Sequence, residues 1–338
     1  MCEISQGAWA LSGEKERRQF FPHKRAAAAR ALCLEVQCAM DTAEFARSGV
    51  LLLRGFLSAQ ETQDLQAWSL ELPLVPGVQV TFEKGAITRC ENFVHLHAGF
   101  ARLAATGSRL AALCGQLFGD AEGACLVKEK LNYKPAGGAG FLPHLDHPSL
   151  AFYLPPRFDR FITVMVAIDD MTRANGCLRV ARGDWTAATV VSCVPPEGDP
   201  EVGGRAGGIA ESALAGLQFE DVECKAGDVL CFNGFVPHRS APNGTFACRR
   251  AVFFTYNPAA QGDVRTQYYQ SLTDIRDRWK QKLCAEIQGD YNNDLQALAS
   301  IPSTFDRSRY APLPSASTGG CSCSSSDTEH EMDVDSLF

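Results

Sequence analysis

Residues 249–257 read RRAVFFTYN, residues 160–168 RFITVMVAI and residues 126–133 LVKEKLNY. Each is a short run rich in β-branched and aromatic side chains, and turn-forming Gly, Pro and Asn lie between the runs. CLRVA at 177–181 and GDVLCF at 227–232 repeat the pattern. Short strands at regular spacing, with no long helical period between them, point to an all-β sandwich or barrel.

Upstream the pattern changes. A helix-like segment over Arg25–Arg47 leads into Val50–Leu53, which reads as a strand. Ser58 then fits an N-cap, with Glu61 three residues on completing a capping box. A second helical stretch covers Ala101–Phe118. The expected class is therefore mainly β with a helical N-terminal part, in one domain over residues 1–311 whose β core begins at about residue 126. Pro195–Gly216 (PPEGDPEVGGRAGG and onward) reads as a loop inserted over the sandwich. From 312 to 338 the chain turns Ser-rich and then acidic, ending in SSSDTEHEMDVDSLF, which has too little apolar content to offset ordering entropy. A disordered tail is predicted there.

The 338 residues are 46% hydrophobic, enough for a large core, and the formal charge of -7 gives no long-range pull toward nucleic acid or anionic membranes. No run approaches the roughly 20 apolar residues of a membrane span. The 14 cysteines are scattered from Cys2 to Cys323, and the N-terminal stretch lacks a secretory apolar core, so reduced thiols in a cytoplasmic setting are expected. Cys321 and Cys323 form the only close pair and lack the second pair a zinc ribbon needs. Cys177 and Cys231 fall in predicted strands as small core residues.

Of seven histidines, two lie in FLPHLDHPS (141–149) and one in FNGFVPHRSAPN (232–243). In an extended strand residues i and i+2 face the same way, so His144 and Asp146 can converge while His147 faces away. His238 would complete a set of two imidazoles and one carboxylate, the arrangement that leaves iron(II) open positions in oxygenases. A dicarboxylate cosubstrate would need a buried cation, and an arginine fork grips a carboxylate bidentately. Arg249 and Arg250 are adjacent on one strand, and alternation alone does not choose between them.

HLD (144–146), NGCL (175–178), AGDVL (226–230), PHRSAPN (237–243) and RRA (249–251) together resemble the phytanoyl-CoA dioxygenase family, over about Gly49 to Tyr269. Within it, KEKLNYKPAGGAGFLPHLDHP and GDVRTQYY (262–269) look most like the branch that includes 2-aminoethylphosphonate dioxygenase. The resemblance implies a double-stranded β-helix, or jelly roll. It implies iron(II) held by His144, Asp146 and His238, and 2-oxoglutarate held by Arg249 with help from Ser240. It further implies dioxygen, a small-molecule substrate, and hydroxylation with release of succinate and carbon dioxide. Asp146 favours hydroxylation, since related halogenases lack that carboxylate. Those relatives usually carry Gln where this chain has Leu145, and many carry a small residue where it has His147.

Lys128, Lys130 and Asn132 alternate along one strand and share a face; Lys130 is the candidate for lining the cosubstrate pocket and Lys128 for meeting substrate. Arg89 and Asn92, in ITRCENFVHLH (87–97), and Tyr153, behind the H-x-D segment, are the other substrate candidates, set against surface polarity and core packing as plainer roles. Arg173 and Arg179 flank the turn TRANGC as surface charges. Two other functions compete: a zinc or manganese enzyme of the cupin type, which assigns Arg249 no role, and a jelly-roll protein that binds a ligand without turnover.

Overall fold

The computed structural model describes residues 42–193, 196–197, 207–209 and 211–287. Most of the predicted helix over Arg25–Arg47 lies outside them, residues 42–48 being helical, and the tail at 312–338 with Cys321 and Cys323 lies wholly outside.

In chain order the strands are β1 (Val50–Leu53), β2 (Gln79–Glu83), β3 (Ala86–Glu91), β4 (Ala124–Lys134), β5 (Phe141–His144), β6 (Ile162–Ala167), β7 (Leu178–Ala181), β8 (Pro196–Glu197), β9 (Gly208–Ile209), β10 (Phe219–Val222), β11 (Val229–Asn233), β12 (His238–Ser240) and β13 (Arg249–Pro258). They form a seven-stranded sheet, β1-β11-β6-β13-β4-β3-β2, and a six-stranded sheet, β10-β7-β12-β5-β9-β8. From β4 to β7 successive strands alternate between the sheets, and β11, β12 and β13 do so again. This alternation makes the predicted double-stranded β-helix.

β13 lies at the centre of the larger sheet, between β6 and β4, and all ten of its residues are buried. Its two faces do different work. Ala251 and Phe253 face the smaller sheet and pack with Met165, Ala167, Leu230 and Phe232. Val252, Phe254 and Tyr256 face the other way, into a core that also holds Leu65, Phe100 and Leu110. Those three come from the helices Ala59–Glu71, Ala98–Ala104 and Arg109–Phe118.

The capping box forms as read: Glu61 N–H donates to Ser58 Oγ, and Ser58 N–H to the Glu61 carboxylate at 2.8 Å. The single helix expected over Ala101–Phe118 is two helices. Gly107, at φ +89°, turns the chain between them, and Ser108 caps the second.

The β core also reaches upstream of residue 126, because β1, β2 and β3 join the larger sheet. β2 and β3 form a hairpin whose two-residue loop, Lys84 and Gly85, has φ of 48° and 77°, the double positive φ of the turn that matches strand twist. Within Pro195–Gly216, β8 and β9 pair with each other, and Gly208 of β9 pairs with His144 of β5. That part of the expected loop therefore extends the smaller sheet.

Two buried ion pairs fasten helices to this frame. Arg250 forks onto Asp169 and donates to Ser69 Oγ at 2.8 Å, which ties β13 to the helix Ala59–Glu71. Arg250 is fully buried. It lies on the face of β13 turned away from the smaller sheet, and that face is a second interior. Arg265, at the start of the helix Arg265–Ile287, pairs with buried Glu129 of β4.

Candidate metal centre

β5 ends at His144, Leu145 stays extended at φ −116° and ψ 140°, and Asp146 opens the helix Asp146–Tyr153. The expected strand geometry thus stops one residue early. Asp146 lies in the first helical turn, yet its carboxylate still meets His144. β12 pairs with β5 and brings His238 opposite His144. The ligand atoms of His144, Asp146 and His238 lie within 4.8 Å of one another, and all three residues are buried.

Each group is aimed by a neighbour. His144 Nδ1 is 2.8 Å from the Leu142 carbonyl and His238 Nδ1 is 3.0 Å from the Val236 carbonyl. A carbonyl only accepts, so both Nδ1 atoms carry a proton, and each Nε2, once deprotonated, presents a lone pair to a metal. Each Nε2 stands 3.8 Å from Asp146 Oδ1. Thr163 Oγ1 donates to Asp146 Oδ2 at 2.8 Å, leaving Oδ1 for a cation. Burial alone would raise the Asp146 pKa, but His238, Lys128, Lys130 and His144 outweigh it and hold the carboxyl well below its ordinary range. The set fits a divalent metal of intermediate softness such as iron(II).

Thr163→Val keeps the side-chain shape and removes that hydrogen bond. Its expected effect is roughly a tenfold loss of iron(II) affinity, the low end for such outer partners. Anaerobic competition against a chromogenic chelator measures it, and unchanged affinity would show that Asp146 needs no anchor.

The inner face of the larger sheet supplies the rest. Register pairs Arg249 with Lys134, Ala251 with Asn132, Phe253 with Lys130 and Thr255 with Lys128, while β3 sets Arg89 beside Asn132 and Glu91 beside Lys130. A small cavity touches His144, His238, Ser240, Lys130, Asn132 and Arg249. An adjoining cavity of about 180 Å³ reaches Arg249 and Asn132 from the side of Arg89. Arg249 Nε and Asn132 Oδ1 are buried with no hydrogen-bond partner among the described residues. A buried donor beside a cation suits a carboxylate ligand.

Lys130, half-buried, stands 5.5 Å from the Phe253 ring, and burial with the nearby Lys128 lowers its pKa to about 7. Lys128 lies 5.6 Å from the ring of Tyr268. Tyr153 packs edge-on against Tyr268 at 5.5 Å, inside an apolar cluster with Leu150 and Leu272. Arg89 is buried in the cavity wall. Asn92 sits apart from these: at φ 54° it accepts from Arg265 beside the Glu129 ion pair. Leu145 is fully buried in the core between the sheets, and His147 stacks on Phe235 at 4.3 Å. Both departures from the resembled pattern therefore pack away from the metal site. Arg173 and Arg179 bind Asp221 on the smaller sheet.

Two functional candidates escaped sequence reading, Thr163 and Lys134. Lys134 continues the alternation of Lys128, Lys130 and Asn132 by one step, so the signal was available. The partner of Asp146 in β6 had none.

Comparison with known proteins agrees with this geometry. A family model described as Phytanoyl-CoA dioxygenase matches residues 45–251. The chain is 34% identical over 233 residues to 2-aminoethylphosphonate dioxygenase from Uncultured bacterium HF130_AEPn_1, covering 66% of this chain and 82% of the relative. It is 32% identical over 238 residues to Methylphosphonate hydroxylase of Gimesia maris, again covering 66% and 82%. Among solved structures, EctD from S. alaskensis with 2-oxoglutarate and 5-hydroxyectoine shares the fold at a TM-score of 0.53 and 24% identity, over 66% of this chain and 77% of that one. The epimerase SnoN, solved with Fe3+, alpha ketoglutarate and nogalamycin RO, does so at 0.53 and 21%, over 67% and 85%.

Proposed function

The chain belongs to the phytanoyl-CoA dioxygenase family, and from that premise we propose that it is an iron(II)- and 2-oxoglutarate-dependent dioxygenase that hydroxylates a C–H bond of a small molecule. The observation that carries this reading is the convergence of His144, Asp146 and His238 beside the cavity that holds Arg249 and Ser240. Iron(II), 2-oxoglutarate and dioxygen together supply the oxidising chemistry, with succinate and carbon dioxide as co-products. The protein's residues do the rest. The two Nε2 atoms and Asp146 Oδ1 would hold the metal, Arg249 and Ser240 would orient the far carboxylate, and the packed sheets would keep bulk water from the reacting atoms. A zinc or manganese cupin enzyme would leave the buried Arg249 without a purpose.

For substrate, the two relatives named above act on phosphonates by their names, and a small phosphonate is the class proposed here. Arg89, Lys128 and Lys130, on adjoining strands of the inner face, support an anionic substrate. Cys90, Cys114, Cys125, Cys177, Cys224, Cys231 and Cys248 are free thiols, which supports a reducing, cytoplasmic setting.

The test is succinate release by the anaerobically iron-loaded protein after oxygen is admitted, across a panel of small phosphonates and uncharged analogues. Stimulation by at least one phosphonate is expected; stimulation by the uncharged analogues alone would overturn the substrate class. Arg249→Lys keeps a charge but loses the fork, and is expected to weaken 2-oxoglutarate about ten- to a hundredfold without changing iron content. An unchanged cosubstrate titration would remove Arg249 from its role.

A further inference from the structure

Lys134 ends β4 opposite Arg249 and is itself buried. Its ammonium makes three contacts: Ser240 Oγ at 2.8 Å, the Ala241 carbonyl at 2.6 Å and the Gly176 carbonyl at 3.3 Å. Ser240 Oγ also accepts from Phe141 N–H at 3.2 Å. A hydroxyl has two lone pairs and one proton. Both Ser240 lone pairs are therefore occupied, and its proton is left to donate, with the cavity beside Arg249 open to it.

Arg249 donates to the same Gly176 carbonyl. A Cβ at Gly176 would stand 2.2 Å from the Ala241 carbonyl oxygen and 2.9 Å from Lys134 Nζ, so the glycine of the NGCL motif, at φ +70°, keeps this nook open. Among the described residues neither Lys134 nor Arg249 forms an ion pair with a carboxylate. Two buried cations on neighbouring strands, held by neutral oxygens, are poised for an anion.

We infer that Lys134 is a positioning residue for the far carboxylate of the cosubstrate: it commits the Ser240 hydroxyl to donate into the cavity and adds a second positive charge beside Arg249. This rests on the reading of the cavity as a 2-oxoglutarate site. The commitment requires the ammonium form, because a neutral amine has a lone pair that could accept the Ser240 proton and release it from the cavity. Burial, and then Arg249, bring the Lys134 pKa down to about 7, opposed by Cys177; Arg249 from β13 and Cys177 from the turn before β7 are the titratable and charged groups that face it. The effect is therefore present at low pH and is lost as pH rises through about 7.

The experiment is anaerobic calorimetric titration of the iron-loaded full chain with 2-oxoglutarate and with 2-oxopentanoate, in which a methyl group replaces the far carboxylate. Lys134→Met is expected to weaken 2-oxoglutarate about ten- to a hundredfold and leave 2-oxopentanoate unchanged. Combined with Ser240→Ala it should cost less than the sum of the two single changes, since part of its effect acts through Ser240. Equal losses for both ligands, or full additivity, would overturn the inference and leave Lys134 a structural residue. Should Lys134→Met fold poorly, the wild type still decides. Its preference for 2-oxoglutarate over 2-oxopentanoate should fall between about pH 6 and about pH 9, and in Ser240→Ala that fall should be reduced. A preference flat with pH in the wild type would count against Lys134. If the wild type binds neither 2-oxo acid, the enzymatic reading fails rather than this one.

Discussion

Asp146→Ala is expected to end 2-oxoglutarate-coupled turnover. Asp146 is the only carboxylate in the set, and its Oδ1 stands equally far from both imidazole nitrogens. Without it two neutral imidazoles remain, and the site loses both a ligand and the negative charge that compensates a divalent cation. Disturbing only an outer partner of a metal ligand typically costs 10- to 100-fold, so losing the ligand itself should exceed roughly 100-fold in turnover. Iron content after desalting should fall in parallel. The fold should survive, because the carboxylate's hydrogen bond is to a single hydroxyl, Thr163, and the helix it opens is anchored by Leu150 and Tyr153. Activity near wild type, with normal iron content, would exclude Asp146 as a ligand.

Arg250→Met should do the opposite: unsettle the fold and spare the chemistry. Arg250 has no exposed surface, and its guanidinium bonds both oxygens of Asp169, Ser69 Oγ and the Gln66 carbonyl. Removing one partner of such a pair leaves the other charge poorly compensated, at a cost of about 3–5 kcal/mol. For a chain of this size that corresponds to a fall in Tm on the order of 10 °C. Below the transition, 2-oxoglutarate affinity should stay near wild type, whereas Arg249→Lys should show the reverse. Thermal unfolding by circular dichroism, beside the cosubstrate titration, separates the two, and an unchanged Tm in Arg250→Met would show that the helix Ala59–Glu71 docks without this pair.

Much of the β core was legible because its strands are short and apolar, and because the cap at Ser58 follows a local rule. The pairing of His144 with Asp146 was legible for a partly wrong reason: one extended residue, Leu145, sufficed, and a helix began where a strand was expected. Alternation could not separate Arg249 from Arg250, since both faces of β13 are buried and a pattern of inside against outside has no contrast to show. The hairpin of β2 and β3 passed unread because its strands carry polar residues at sites that face a cavity rather than a core. The helix Arg265–Ile287 carried a readable signal in Tyr268, Leu272 and Ile275, spaced at helical intervals on one buried face. Asn92 illustrates the limit of reading side chains by type, because its partner Arg265 lies 173 residues away in sequence.

The back-to-back arginines also act as a lock on strand alignment. A one-residue slip of β13 against β4 and β6 would carry every side chain to the opposite face. One arginine would then take the other's place, and the displaced one would enter an apolar slot: Arg250 that of Ala251, or Arg249 that of Cys248. An alternating hydrophobic strand buried on both sides resists such a slip only weakly, because Val and Phe fit either layer. A shifted pairing therefore strands one buried charge among apolar side chains. The dipeptide therefore favours the native register of the central strand over a slipped one, independently of what either arginine does in the finished site.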